Sequence, residues 1–361
     1  MKPTCDVGDF TDIASRQAKR PLQKISQRDY DMSMSELRKD PLSGDWIILS
    51  PGRAKRPDAP EREKQRSRTP SPKGKCPFED LRKSGNNAVI AAWPNVKKWK
   101  IVVLPNKYPA LVHAEACAVD FKNGVYDVEE GIGTHELVIT RDHNKSFADV
   151  GLGTATKILT IFQERYRVAN DGCNAYAVAF LNFGPSVGAS QWHPHYQLLA
   201  VPFVPPHVER SVHGAQAYFK KEGRCLRCSV MKEEIKYKKR VVDENGEAIA
   251  FAPYASKRPF EVSVMPKRHF PKFEETPEAV IRDVAKIMQG ILKKLRYRAG
   301  DPDLNFFIHS APFGGDGHAY HHWHAEILPN LSYLGGLEFA TGIYINVVDP
   351  DVAAKTLRGK A

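Results

Sequence analysis

The sequence of 361 residues predicts an α+β fold built from two copies of one structural unit. Each half contains an alternating strand, an amphipathic helix, a buried strand, a turn of small residues and a last strand, in the same order. Each copy also carries the pattern His-x-His beside its last strand. Two units that share both the element order and the histidine pattern would rarely arise by chance, so the sequence predicts an internal duplication.

The first copy ends in His193-Pro194-His195-Tyr196-Gln197 and an apolar run. Alternate side chains of an extended segment share a face, which places His193, His195 and Gln197 on one side and Tyr196 on the other. The preceding strand, helix, buried strand and glycine- and serine-rich turn are predicted at residues 134–140, 154–168, 175–181 and 184–190.

The second copy ends in the segment HHWHAEILP. The two histidines of the first copy correspond to His322 and His324, Gln197 corresponds to Glu326, and the strand THELVIT is aligned with PFEVSVM. Its strand, helix, buried strand and turn are predicted at residues 260–265, 276–300, 305–308 and 311–317. Because the first copy has an amide donor beside its histidine and the second has an acid, the first copy is predicted as the reactive one.

The groups of the first copy suit chemistry at phosphorus. A neutral imidazole is a nucleophile that forms covalent intermediates. Gln197 and the backbone N–H groups of the 184–190 turn are donors for the non-bridging phosphoryl oxygens. Two alternatives remain at this point: an ordinary pair of surface histidines, or a metal ligand at His193.

Composition narrows the functional classes. The formal net charge is +11, and basic and acidic residues are interspersed along the chain, which favours phosphorylated small molecules over nucleic acid as partners. No apolar run is long enough for a membrane span, and the N-terminus lacks the apolar segment of a signal peptide, so we expect a cytoplasmic protein. In that compartment the pair Cys225 and Cys228 indicates a metal site more than a disulfide, with free buried thiols as the alternative.

Three regions are predicted from these patterns. Residues 1–34 are a polar tail, 35–205 form the N-terminal domain with the catalytic face, and 206–361 form the C-terminal domain. A basic segment that contains Arg53 and Arg56 is either a solvated loop or a phosphate-binding loop.

Five segments together resemble the galactose-1-phosphate uridylyltransferases, the two-repeat branch of the histidine-triad superfamily. They are ELRKDPLSGDWIILSPGRAKRP, VLPNKYPAL, HPHYQ, HWHAEILP and GGLEFATGIYIN, in that order along the chain. The resemblance covers residues 36–354. It implies two histidine-triad-like repeats, each an antiparallel sheet (a half-barrel) with helices packed on one face. Family members are commonly homodimers, which the sequence itself does not show.

The resemblance implies a ping-pong nucleotidyl transfer between a nucleotide sugar and a sugar 1-phosphate. His195 would attack the α-phosphate of UDP-glucose, with Gln197 and Ser190 beside the phosphoryl group. The nucleotide and sugar phosphate would be bound by Arg53, Arg56, Asn106, Asn182, Gly188 and Ala189, and by Gly335, Gly336, Glu338 and Phe339 of the last segment.

The resemblance also implies two zinc sites. The first would use Cys76, Glu79, His135 and His193, with Glu79 standing where relatives have a second cysteine. The second would use Cys225, Cys228, His269 and His322. Each ion would brace a strand that carries a His-x-His pattern.

Three other functions are kept as alternatives. Plant relatives of similar pattern are ADP-glucose phosphorylases, which transfer AMP rather than UMP. A nucleotide-sensing or RNA-binding protein without turnover would form no covalent adduct and would bind with a steep salt dependence. A pure zinc scaffold would need no turn rich in donors before His193.

Overall fold

The computed structural model describes residues 35–55, 70–86, 88–123, 125–315 and 317–359, and the structural statements below refer to these residues. The predicted tail, residues 1–34, and the candidate phosphate ligand Arg56 lie outside them. The fold is α+β, as predicted, and it is organised around one large antiparallel sheet.

The large sheet has ten strands in the order β10-β11-β12-β14-β13-β8-β9-β7-β4-β3. Its strands are β3 (Ala91–Trp93), β4 (Ile101–Pro105), β7 (Thr134–Thr140), β8 (Tyr176–Phe183), β9 (His195–Val201), β10 (Val241–Glu244), β11 (Ala248–Phe251), β12 (Val262–Pro266), β13 (Leu304–His309) and β14 (His324–Pro329). A smaller sheet pairs β1 (Glu36–Lys39) and β2 (Trp46–Leu49) with β15 (Tyr344–Asn346), and β5 (Asp120–Asn123) and β6 (Tyr126–Glu129) form a hairpin.

The helices of the described residues are α1 (Leu152–Ala169), α2 (Pro206–Glu222), α3 (Leu226–Tyr237), α4 (Glu278–Arg298), α5 (Gly336–Thr341) and α6 (Pro350–Arg358). The apolar stripes of α1 and α4 pack on the same face of the large sheet, where Phe162 and Ile291 are fully buried. The opposite face of the sheet is therefore left for the two histidine patterns.

The two copies share one continuous sheet, because their buried strands β8 and β13 pair with each other. Phe180 of the first copy lies opposite Phe307 of the second, at corresponding positions. The predicted half-barrels are thus joined edge to edge at their centre.

The strand register corrects the alignment of the two copies by one residue. Leu137 pairs with Gln197 in the first copy, whereas Ser263 pairs with Glu326 in the second. Leu137 therefore corresponds to Ser263, and His135 corresponds to Glu261. A one-residue error matters here because it moves every side chain of a strand to the opposite face.

Two buried glutamines repeat the duplication in atomic detail. Gln163 of α1 donates to the carbonyls of Phe273 and Thr276, at 2.7 and 2.8 Å, in the segment before α4. The corresponding Gln289 of α4 donates to the carbonyls of Phe147 and Val150, at 2.8 and 2.7 Å, in the segment before α1. Each helix thus stabilises the segment that precedes the other helix.

A disulfide between Cys117 and Cys173 ties the segment before β5 to the turn between α1 and β8. The sequence did not predict this pairing, because the two cysteines are 56 residues apart. No helix in the described part of the chain is both long and apolar enough to cross a membrane.

We expect Gln289→Leu to lower the free energy of unfolding by about 2 kcal/mol, because two buried carbonyls lose their donor. The same loss is expected for Gln163→Leu. Urea unfolding followed by circular dichroism measures both, with Lys286→Leu on the exposed side of α4 as the control. Equal stability of the glutamine variants and the control would contradict the role of these contacts.

Candidate active site

The side chains of β9 alternate as the sequence predicted. Tyr196 is fully buried on the helix side, where its ring contacts Phe147, Phe162 and Phe306. His195 and Gln197 consequently lie on the opposite face. The aromatic ring of Tyr196 therefore fixes the strand without entering the site.

His195 is held in one tautomer by its own main chain. Its Nδ1 lies 3.0 Å from the carbonyl oxygen of His193, so Nδ1–H donates and Nε2 carries the lone pair. No hydrogen bond among the described residues engages Nε2. Burial lowers the pKa of His195, and the hydrogen bond to the His193 carbonyl partly opposes that shift. The side chain is therefore a neutral imidazole with an open nucleophilic nitrogen.

Phe78 forms the wall beside both histidines. Its ring centroid lies 5.6 Å from that of His193 and 5.6 Å from that of His195. It belongs to a small apolar cluster with Val102, Leu104 and Ile139 on the same face of the sheet. These apolar side chains cover His195, whose exposed fraction is only 7%.

His193 faces a group of potential metal ligands. Its Nε2–H donates to the Thr140 carbonyl at 2.7 Å, which leaves the Nδ1 lone pair directed at Cys76 Sγ, 3.5 Å away, and Glu79 Oε1, 3.7 Å away. Burial is the largest cause that lowers the pKa of His193. A neutral imidazole with a fixed tautomer is the form that binds metals.

His143 completes this group. Its Nε2–H donates to the Ser71 carbonyl at 2.8 Å, and its Nδ1 lies 3.1 Å from Glu79 Oε1. Both Nδ1 and that oxygen are buried acceptors with no hydrogen-bond partner among the described residues. The ligand atoms of Cys76, His143 and His193 lie within 4.8 Å of one another. The residues fit a cation, which would satisfy every acceptor that meets there.

The structure corrects the predicted ligand His135. Its Nδ1 accepts the Ala110 backbone N–H at 2.9 Å, and its Nε2 lies 3.0 Å from Gln197 Oε1. Both ring nitrogens are therefore occupied, away from Cys76 and His193. His143 takes the place assigned to His135, and it lies three residues beyond the end of β7.

The second predicted metal group is brought together in the structure. Cys225 directly precedes α3 and Cys228 lies in its first turn. Cys228 Sγ lies 3.3 Å from the Nδ1 atoms of both His269 and His322. The pKa of His322 is lowered to about 3, chiefly by burial and next by the neighbouring His269. The four ligand atoms lie within 4.8 Å of one another, and two thiols with two imidazoles supply the four ligands that a tetrahedral ion requires.

The turn before His193 is fastened to the second copy. Gly184 has a φ of +105°, and a Cβ atom there would overlap the carboxylate of Asp303. Ser186 donates to that carboxylate from its backbone N–H at 2.9 Å and from its hydroxyl at 2.7 Å. Asn305 Nδ2 donates to Asn182 Oδ1 at 2.8 Å. No pattern in the first copy pointed to Asp303 and Asn305, because they come from the other copy.

The other predicted ligands lie in two places: near Gln197 and the 184–190 turn, and beside the smaller sheet. Asn106 lies beside His135 and Gln197, and Gly188 has a φ of +90° close to Asn182. Ala189 and the exposed Ser190 follow in the same turn.

Arg53 lies on the exposed turn Pro51–Lys55 after β2. The segment of Gly335, Gly336, Glu338 and Phe339 lies beside β15, where Glu338 accepts the N–H groups of Gly335 and Ile345 and Phe339 is exposed. The roles of these residues stay predictions.

The second copy has a different arrangement around its histidine. His324 Nε2 lies 3.1 Å from Glu326 Oε1, so the nitrogen that corresponds to the open one of His195 is engaged. Its Nδ1 is buried with no hydrogen-bond partner in the described part of the chain. The first copy is therefore the one with an oriented and available imidazole.

Two family descriptions match most of the chain. Residues 23–205 match the N-terminal domain of galactose-1-phosphate uridyl transferase, and residues 211–332 match its C-terminal domain. The chain belongs to the galactose-1-phosphate uridylyltransferase family. This family consists of nucleotidyltransferase-type enzymes.

Similar proteins within the family have different activities. An ADP-glucose phosphorylase from Arabidopsis thaliana is 34% identical over 90% of this chain and 92% of the relative. A galactose-1-phosphate uridylyltransferase from Thermotoga maritima is 28% identical over 90% of this chain and 98% of the relative. The crystal structure of an Arabidopsis ADP-glucose phosphorylase with bound ADP-glucose superposes with a TM-score of 0.78, at 31% identity over 91% of this chain and 99% of that one.

We expect His143→Asn to lose one equivalent of bound metal relative to the wild type, because His143 Nδ1 points into the Cys76 group. His135→Asn should retain the full metal content, since that side chain points to Gln197. Metal per protein, measured by inductively coupled plasma mass spectrometry on dialysed samples, distinguishes the two. Loss of metal from the His135 variant and retention in the His143 variant would reverse the assignment.

Proposed function

We propose that this protein transfers a nucleotidyl group from a nucleotide sugar through a covalent intermediate on His195. The observation that carries the proposal is the hydrogen bond from His195 Nδ1–H to the His193 carbonyl, which leaves Nε2 open toward the face shared with Gln197. A fixed, neutral and buried imidazole is suited to attack, and it need not lose a proton first.

The reaction has two displacements at one phosphorus atom. In the first, the Nε2 lone pair forms a bond to the α-phosphorus, and the bond to the sugar 1-phosphate oxygen breaks with its electron pair. In the second, an oxygen of the acceptor attacks the same phosphorus, and the P–N bond breaks to restore neutral His195. Gln197 and the N–H groups of the 184–190 turn donate to the phosphoryl oxygens as charge moves onto them.

We favour ADP-glucose as the donor and inorganic phosphate as the acceptor. The support is the 34% identity to the Arabidopsis ADP-glucose phosphorylase over nearly the full length of both proteins. A second candidate is the UDP-glucose–hexose-1-phosphate uridylyltransferase activity predicted from the sequence. It is supported by the match to the Thermotoga uridylyltransferase, 98% of which is covered.

We also propose zinc at the two groups of sulfur and nitrogen ligands. Cys225, Cys228, His269 and His322 would hold one ion in a closed structural site. Cys76, His143 and His193 would hold the other, with Glu79 adjacent. Zinc bound at either site would act structurally, by holding the segment that leads into β9 or β14. A homodimer and a cytoplasmic location stay predictions.

The test is a covalent adduct on purified protein. We expect an AMP-sized increase in intact mass after brief incubation with ADP-glucose at neutral pH, because the adduct has no acceptor to attack it. Incubation with UDP-glucose in parallel measures the second candidate by a UMP-sized increase. His195→Ala should show neither.

The matched control is His324→Ala, which removes the corresponding histidine of the second copy and should leave adduct formation intact if that variant is folded. Addition of phosphate should then release the nucleotide as ADP from an adenylylated enzyme. Absence of any adduct from folded, metal-containing protein with both donors would overturn the proposal.

A further inference from the structure

The side chain of His135 contacts the catalytic face at Gln197. His135 lies near the start of β7 and Gln197 on the adjacent strand β9, and His135 Nε2 is 3.0 Å from Gln197 Oε1. This contact was not predicted, because the family resemblance implied His135 as a metal ligand.

The tautomer of His135 follows from its other nitrogen. The Ala110 backbone N–H donates to Nδ1 at 2.9 Å, and a backbone amide can only donate. A neutral imidazole carries one N–H, so that proton is on Nε2. Asn106 Nδ2 lies 2.9 Å from the same nitrogen, while Asn106 Oδ1 accepts the Tyr108 N–H at 3.0 Å. Gln197 Oε1, 3.0 Å away, is therefore the oxygen that is directed at Nε2.

The loop that supplies the Ala110 amide is itself fixed to the start of β7. Val112 N–H donates to the Gly131 carbonyl at 2.9 Å, and Gly133 N–H donates to the Val112 carbonyl at 3.0 Å. Asn106 N–H also donates to the His135 carbonyl at 2.9 Å. The position of the Ala110 N–H, and with it the tautomer, is thus set by main-chain contacts.

The side-chain oxygen of Gln197 can accept a hydrogen bond from Nε2–H, but its NH2 group cannot. Rotation of the amide by 180° would bring two donors face to face. We propose that His135 is a positioning residue, which holds Gln197 so that the NH2 group, and not the carbonyl oxygen, is presented to the phosphoryl group on His195. This inference rests on the proposed function and adds to it the group that orients its donor.

The orientation matters because the two ends of an amide act oppositely on an anion. An NH2 group directed at a developing phosphoryl charge stabilises it, and it does so best when it needs no reorientation during the reaction. A carbonyl oxygen at the same place would repel that charge. A glutamine without a fixed partner samples both orientations.

The second copy supports the positioning role of His135, because the two corresponding positions there differ. Glu261 occupies the position that corresponds to His135, and Glu326 the position that corresponds to Gln197. Both side chains line the same cavity. Burial is the largest cause that raises the pKa of Glu261, and the nearby Glu326 raises it further. A donor–amide pair is therefore found in the copy whose histidine is open, and two acids in the copy whose histidine is engaged.

The inference is tested by a double-mutant cycle on the rate constant of nucleotidyl-enzyme formation, measured in single turnovers by rapid quench. We expect His135→Ala to lower this rate constant about 10- to 100-fold, with a change in the donor concentration at half-saturation of less than about threefold. In the Gln197→Ala background, the same histidine change should lower the rate constant by less than about twofold, because no amide remains to orient.

Two further variants separate orientation from a general structural role. His135→Gln keeps an N–H donor, and we expect it to recover part of the rate lost in His135→Ala. His135→Glu offers an acceptor that attracts the NH2 group of Gln197, and we expect it to be slower than His135→Ala. His213→Ala, on the exposed side of α2, is the histidine control and should be unchanged.

The outcomes of this test are distinct from those of the proposed function. If the wild type forms no adduct, the proposed function fails. If the wild type reacts and His135→Ala is equally fast, or if the two losses multiply in the double variant, the positioning role is overturned. If His135→Ala does not fold, the order of the Gln and Glu variants decides: a Glu variant as fast as the Gln variant would reject the role.

Discussion

The site depends on the three contacts of His193. Its Nε2–H donates to the Thr140 carbonyl at the end of β7, its Nδ1 faces the Cys76 group, and its backbone carbonyl accepts the Nδ1–H of His195. One residue thereby connects the sheet, a potential metal site and the nucleophile. The spacing His-x-His follows, because a carbonyl two residues earlier in the chain is within reach of the imidazole that it orients.

The scaffold has kept its symmetry while the two sites have diverged. Gln163 and Gln289 make the same pair of contacts across the duplication, and Phe180 meets Phe307 where the two copies join. On the opposite face, Gln197 and Glu326 occupy corresponding positions but leave their histidines in different states. Packing constrains both copies alike, whereas a single reaction needs only one open imidazole.

The sequence predicted the features that depend on local pattern. Strand alternation placed Tyr196 in the core, and the duplication paired the two His-x-His segments correctly. The resemblance implied His135 as a metal ligand, and His143 was not considered, because it lies in a turn beyond β7, where a period of two no longer gives the direction of a side chain. Asp303 reaches Ser186 from the other copy, and no local signal in the first copy points to it.

The central claim is that His195 reacts through Nε2 because Nδ1–H is held by the His193 carbonyl. Nuclear magnetic resonance of the trapped nucleotidyl-enzyme, prepared with ¹⁵N-labelled histidine, tests it through the coupling between phosphorus and nitrogen. The account predicts that phosphorus is bonded to Nε2 of His195 and that Nδ1 of the same ring still carries its proton. A bond to Nδ1, or to a histidine of the second copy, would contradict it.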